Sequence, residues 1–145
     1  MEFFVDTSAL VKFYYPEAGS EAVESLLLSA EKVVISSLSP VEVASSLARR
    51  QRERLLDKGA ETRLWNAFQD DLRSDKIEVL TLDDEVTARA ATLVRDLGSQ
   101  EGLRALDALQ LAAAMTRRRA TFLSADQRLS KIAAIVGLRV KSISP

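Results

Sequence analysis

At 145 residues, 47% of them apolar and 28% charged, the chain suits a single globular domain spanning 1–145 and lies outside the range of disordered sequences. Its 20 basic residues against 21 acidic ones give a net charge of −1, so any nucleic-acid contact must come from a local patch rather than a global field. Cysteine and histidine are both absent, which removes disulfides, cysteine nucleophiles, serine–histidine triads, imidazole acid–base catalysis and the usual zinc and iron sites.

Hydrolytic chemistry is left to carboxylates, hydroxyls and the hard cations they prefer. No apolar run approaches the roughly 18 residues of a membrane span, and the amino terminus lacks a basic signal start; a cytoplasmic location is expected.

In chain order, Phe3-Phe4-Val5 is a short apolar run, and Asp6-Thr7-Ser8 opens a helical pattern that Pro16 stops. Ser20 begins a second helix through Ala30, and Val33-Val34-Ile35 reads as a buried strand. Ser39-Pro40-Val41-Glu42 starts a helix to about Arg52, with Pro40 in the first turn. Lys58-Gly59 breaks the pattern before an apolar stripe of Leu64, Trp65, Phe68 and Leu72. Those aromatic residues are expected in the core rather than against a substrate.

Ile77-Glu78-Val79-Leu80 is a third strand, and Asp83 caps a helix ending at Gly98. Gly98 to Gly102 is expected to be a flexible loop, Leu103 to about Arg117 a strongly apolar helix, and Thr121-Phe122-Leu123 a fourth strand. Asp126 begins the last helix, and Leu138-Arg139-Val140 forms a final strand. Short apolar strands alternating with helices imply an α/β fold, a parallel sheet covered on both faces. Ligands of such sheets bind beyond the carboxyl ends of the strands. Asp6 follows the first strand and Asp126 the fourth, so both belong at that edge.

Each acid has a plain structural role to set against a catalytic one. Asp6 and Asp126 would serve as helix N-caps, and Ser39-x-x-Glu42 as a capping box. Asp107 is harder to place this way. It lies within Leu103-Arg104-Ala105-Leu106-Asp107-Ala108-Leu109-Gln110-Leu111, a segment apolar enough to be largely buried, where a carboxylate needs a compensating charge. An ion pair with Arg104 is the structural alternative to a metal or a catalytic role. Like charges ~4 Å apart repel by roughly 4 kcal/mol at an effective dielectric of 20, and a divalent cation relieves that repulsion. Thr7, Ser8 and Ser124 stand beside these acids and would orient them, or else form turns and caps.

Four segments together match a known pattern: Phe4-Val5-Asp6-Thr7-Ser8-Ala9-Leu10, Ser39-Pro40-Val41-Glu42-Val43, Leu106-Asp107-Ala108-Leu109-Gln110-Leu111-Ala112 and Phe122-Leu123-Ser124-Ala125-Asp126-Gln127-Arg128-Leu129. In these the chain resembles the PIN-domain nucleases, and among them the VapC-type toxins of toxin–antitoxin pairs. The resemblance implies a parallel sheet of order 3-2-1-4-5 and a Mg2+ or Mn2+ ion held mainly by Asp6 and Asp107. It implies that Asp126 and Glu42 complete an acidic pocket and that the activity is endoribonuclease. It further implies a cognate antitoxin and a homodimer. Where some relatives carry another acid after the fourth, this chain has Gln127, Arg128 and Leu129, which argues against a second tightly held ion.

On this reading hydrolysis leaves a 5′-phosphate and a 3′-hydroxyl. Arg49, about 10.5 Å along the helix from Glu42, and Arg50 beside it are the expected RNA contacts. The clusters Arg49–Arg54 and Arg117–Arg119 also suit helix carboxyl ends for reasons of dipole alone. Two other functions compete. An aspartate-based phosphatase would want an acid at position 8, where Ser8 stands, and a phosphoryl-accepting receiver would want an acidic pair beside the first strand. A non-catalytic binding module of the same fold would not need four acids.

Overall fold

The computed structural model describes residues 1–144. Its elements are β1 (Glu2–Val5), α1 (Thr7–Tyr14), α2 (Ser20–Ser29), β2 (Lys32–Ser36), α3 (Ser39–Arg52), α4 (Lys58–Arg73), β3 (Ile77–Leu80), α5 (Asp84–Glu101), α6 (Ala105–Met115), β4 (Thr121–Ser124), α7 (Gln127–Ile135) and β5 (Val140–Ser142). The strands form one parallel sheet in the order β3-β2-β1-β4-β5, as the resemblance implied.

Alternation along β1 divides the interior in two. Phe4 points to one face with Val34 and Phe122, where α5, α6 and α7 pack. Phe3 and Val5 point to the other with Ile35 and Leu123, under α1 to α4. Both faces of the central strands are therefore buried, which is why β1 and β4 read as continuous apolar runs. Phe4 and Phe122 are partners in register and stack with ring centroids 5.9 Å apart. Phe68 is fully buried, and Trp65 meets it edge to face, so the aromatic stripe is core as expected.

Several boundaries differ from those read in the sequence. The expected loop at Gly98–Gly102 is helical to Glu101, and only Gly102 (φ 72°) leaves the helix. Gly98 has a low helix propensity, costing about 1 kcal/mol. That cost is offset where Val94 and Leu97 pack against the core. A side chain at 98 would lie 3.3 Å from Val94 Cγ1 and 3.5 Å from the Leu103 carbonyl, so glycine suits the close return of the chain.

The next helix starts at Ala105, two residues later than expected. Leu103 is buried in the connection, with Arg104 as the extended N-cap, so it does not share a helical face with Asp107. Lys58-Gly59 does not break a helix but opens one: Asp57 caps α4 through the Ala60 amide at 2.8 Å. The break lies just before it, near Arg54 (φ 62°). The last strand is Val140–Ser142, displaced because Leu138 is drawn into the core beside α7.

Candidate active site

The chain leaves β1 and β4 side by side at the centre of the sheet, and Asp6 stands at that switch point. Its amide donates to the Leu123 carbonyl at 3.0 Å, extending the β1–β4 pairing to the start of α1. Asp6 occupies the N-cap position, yet its side chain caps nothing. Instead Ser8 Oγ and Ser124 Oγ (2.8 Å) both donate to Oδ2, while Oδ1 accepts no hydrogen bond from the described residues. Those hydroxyls are themselves held, Ser8 by the Ala125 amide and Ser124 by the Asp126 amide, each at 3.0 Å.

Glu42 does not form a capping box. Leu38 occupies the N-cap of α3, and Glu42 Oε1 instead accepts from Thr7 Oγ1 and Gln110 Nε2, both at 2.7 Å. Asp107 lies in the first turn of α6 and, among the described residues, pairs with no cation, so the Arg104 ion pair is not formed. Asp126 alone among these acids keeps its structural role: its Oδ1 caps α7 through the Leu129 amide at 3.0 Å.

The four carboxylates line one cleft of about 360 Å3, together with Thr7, Ser8, Arg49 and Arg50, while Ser124 is fully buried behind Asp6. A second hollow of about 440 Å3 shares Glu42, Asp107 and Asp126 and adds Arg104, Leu106 and Arg128. The acids thus form a waist between two lobes, each bearing arginines.

Charge accumulates at this waist. Burial, joined by repulsion from Glu42 and Asp107, outweighs the two serine hydroxyls and pushes the Asp6 carboxyl up to about 6. Burial also raises Asp107, with repulsion from Asp126 and Glu42 only partly offset by Arg128 and Arg104. Asp6 and Asp107 are therefore both more easily protonated than an ordinary aspartate, chiefly because they are buried and secondarily because other acids are near.

The pattern that defines the PIN domain family matches residues 3–135, which is most of the chain and all of the cleft. The chain is a PIN domain. No curated protein matches it in sequence, but solved structures share its fold. VapC20 of Mycobacterium tuberculosis, described as a Sarcin-Ricin loop cleaving toxin, is 18% identical with a TM-score of 0.69, over 94% of this chain and 95% of that one. The DNA-bound VapBC of Salmonella typhimurium is 17% identical with a TM-score of 0.69, over 98% of each chain. VapBC2 of Rickettsia felis, bound to a promoter DNA fragment, is 20% identical with a TM-score of 0.64, over 99% of this chain and 100% of that one.

In this PIN domain the two expected RNA contacts differ in availability. Arg50 is committed: it grips both Glu17 oxygens at 3.0 and 3.2 Å, donates to Ser46 and lies 4.7 Å over the Tyr15 ring. Lys12 joins the same Glu17 at 3.2 Å. Arg49 lines the cleft, is exposed, and makes no ion pair among the described residues. At the opposite end of the sheet Arg117 bridges Glu2 and Glu78, and Arg119 also pairs with Glu2 at 3.1 Å. That basic cluster is spent on fastening strands.

Sequence reading gave no place in the cleft to two sets of residues. Arg104 and Arg128 form the second lobe, and neither makes an ion pair among the described residues. Gln110 and Ser36, both fully buried, belong to the polar cluster that holds Glu42. Gln110 was detectable in principle: it stands three residues after Asp107, on the same helical face, as an amide within a run of leucine and alanine.

Proposed function

We propose that this PIN domain is a divalent-metal-dependent endoribonuclease and the toxin of a toxin–antitoxin pair. The observation that carries the reading is the convergence of Asp6, Glu42, Asp107 and Asp126 on one cleft at the switch point, where Asp6 and Asp107 are both shifted toward protonation. An arrangement so unfavourable to its own charges calls for a cation. Among the described residues no three acidic side chains stand together as a ready metal cage. The donors present are all hard oxygens, however, and magnesium takes one or two carboxylates and keeps several waters. The residues therefore fit Mg2+ or Mn2+, with Asp6 and Asp107 as its holders and Asp126 at the rim.

Such an ion, when bound, supplies an acidified water and neutralises charge on the phosphate. The protein's share is positional. Ser8 and Ser124 tie down one oxygen of Asp6, and the other accepts no hydrogen bond from the described residues. Thr7 and Gln110 do the same for Glu42, which is then placed to take a proton from the attacking water. Arg49 in one lobe, and Arg104 with Arg128 in the other, suit backbone phosphates on either side of the scissile bond. A cognate antitoxin, a homodimeric assembly and a cytoplasmic location belong to the same proposal. The VapBC structures support the first, and no helix among the described residues is long and apolar enough to cross a membrane.

The test is cleavage of single-stranded RNA with Mg2+ or Mn2+, with EDTA, and by the Asp6→Asn and Asp107→Asn variants. Metal-dependent cleavage leaving 5′-phosphates, reduced at least 100-fold in each variant, is expected. Full activity in both variants, or products ending in cyclic phosphates, would refute the site.

A further inference from the structure

Gln110 is a wholly buried side-chain amide that contacts Glu42 without itself lining the cleft, and nothing in the acid set explains it. Its Oε1 accepts from Ser36 Oγ at 3.0 Å. Ser36 Oγ already receives the Leu38 amide at 3.2 Å, so its own hydrogen is free to be given to Gln110. This fixes the amide's orientation: turned over, Oε1 would face the Glu42 carboxylate, oxygen against oxygen. Nε2 then lies 2.7 Å from Glu42 Oε1 and 3.2 Å from both Thr7 Oγ1 and Ser39 Oγ. Thr7, with a single hydrogen, places it on Glu42 at 2.7 Å. Both donors meet Glu42 on Oε1 alone.

We infer that Gln110 is a positioning residue: a buried amide on α6, oriented from below by Ser36 of β2, that clamps one oxygen of Glu42 and so aims the other into the cleft. The inference rests on the nuclease reading for its effect on rate, but not for its geometry. α6 also carries Asp107 three residues earlier, so one helix would set both a metal-holding acid and the aim of the proton-accepting acid. Because a displacement of about 1 Å at a reacting group can cost 10²-fold, a clamp of this kind acts on turnover rather than on substrate affinity.

Three variants test it. Gln110→Met, similar in volume but without the amide, is expected to lower kcat 10- to 100-fold with KM changed less than threefold. In a Glu42→Gln background the same change should cost nothing further, because the group being aimed is already disabled. Ser36→Ala, which frees the amide to rotate while leaving the core filled, should give a smaller loss of the same kind and serves if Gln110→Met fails to fold. An equal loss from Gln110→Met with and without Glu42→Gln would show a merely structural role and overturn the inference. A readout independent of cleavage is the side-chain amide signal of Gln110 in metal-free protein. It should be shifted and protected from exchange, and should move on Glu42→Ala. No movement would also overturn the clamp, whereas a moving signal in a protein that cuts no RNA would refute only the nuclease reading.

Discussion

Asp6 is nearly excluded from solvent, and its ionised form is opposed by burial and by two neighbouring acids, so the fold binds a proton there more readily than the unfolded chain does. The folded carboxyl titrates near 6 against an ordinary 3.8. Between those values the native state carries more protons, and stability falls as pH rises through that window. That difference corresponds to about 3 kcal/mol. In EDTA at pH 7.5, Asp6→Asn is therefore expected to be about 2–3 kcal/mol more stable than the natural chain, since asparagine can still accept from Ser8 and Ser124. Urea unfolding at pH 7.5 and pH 4 checks this: the gap should close at the lower pH, and a constant gap contradicts the assignment. Added Mn2+ should reverse the order, raising the natural protein by mass action and leaving the variant unmoved. Of the four acids, sequence reading placed all in one cleft but misjudged how they are held. Capping rules apply to any aspartate before a helix, and they describe Asp126 well. They fail at Asp6 and Glu42 because stronger donors, Ser124 and Gln110, arrive from strands and helices remote in sequence. Ser124 was legible as a residue beside the acids, but which acid it and Gln110 would reach depends on tertiary placement that capping rules do not contain.

At the level of elements, the α5–α6 corner controls where Asp107 stands. Gly102 adopts φ 72°, and a side chain there would lie 3.3 Å from the Arg128 guanidinium. Gly102→Ala is expected to cost about 1–2 kcal/mol through left-handed backbone strain and to weaken activity by shifting the start of α6. Urea melts and cleavage rates measured together would check both. Strands and their order were legible because buried parallel strands are unbroken apolar runs between helical stretches. Helix ends were less so. Gly98 reads as a stop by propensity, but α5 overrides it through packing against α6 that no windowed pattern contains. The same corner presents Arg104 to the second lobe, which Arg128 of α7 also lines. Replacing both with alanine is expected to weaken binding of single-stranded RNA and to lower its salt slope by about 0.7 for each phosphate no longer neutralised. Were these arginines only screening Asp107, the double variant would bind Mn2+ more tightly and RNA unchanged.

For the whole molecule, the two ends of the sheet carry opposite duties. At the amino ends of the strands, Arg117 joins Glu2 of β1 to Glu78 of β3, and Lys32 of β2 pairs with Glu78 at 2.8 Å. The arginine and lysine hold Glu78 down to about 2. This contribution is present above the ordinary glutamate range and is lost as pH falls through that range toward 2, the reverse of Asp6. Arg117→Met should lower stability by about 1–2 kcal/mol, as expected for partly exposed charged hydrogen bonds, while kcat stays unchanged. A thermal melt beside a cleavage assay separates the two. The carboxyl ends hold the chemistry, and one feature there bears on synthesis. β1 lies between β2 and β4, and Ser124, the last residue of β4, supplies a hydroxyl to Asp6. A ribosome-bound chain that has emerged only as far as α6 already contains three of the acids, yet one edge of β1 is bare and Asp6 lacks its anchor. If the proposed nuclease activity holds, a chain built this way cannot complete its cleft before β4 has been made, so cleavage waits on synthesis of that strand.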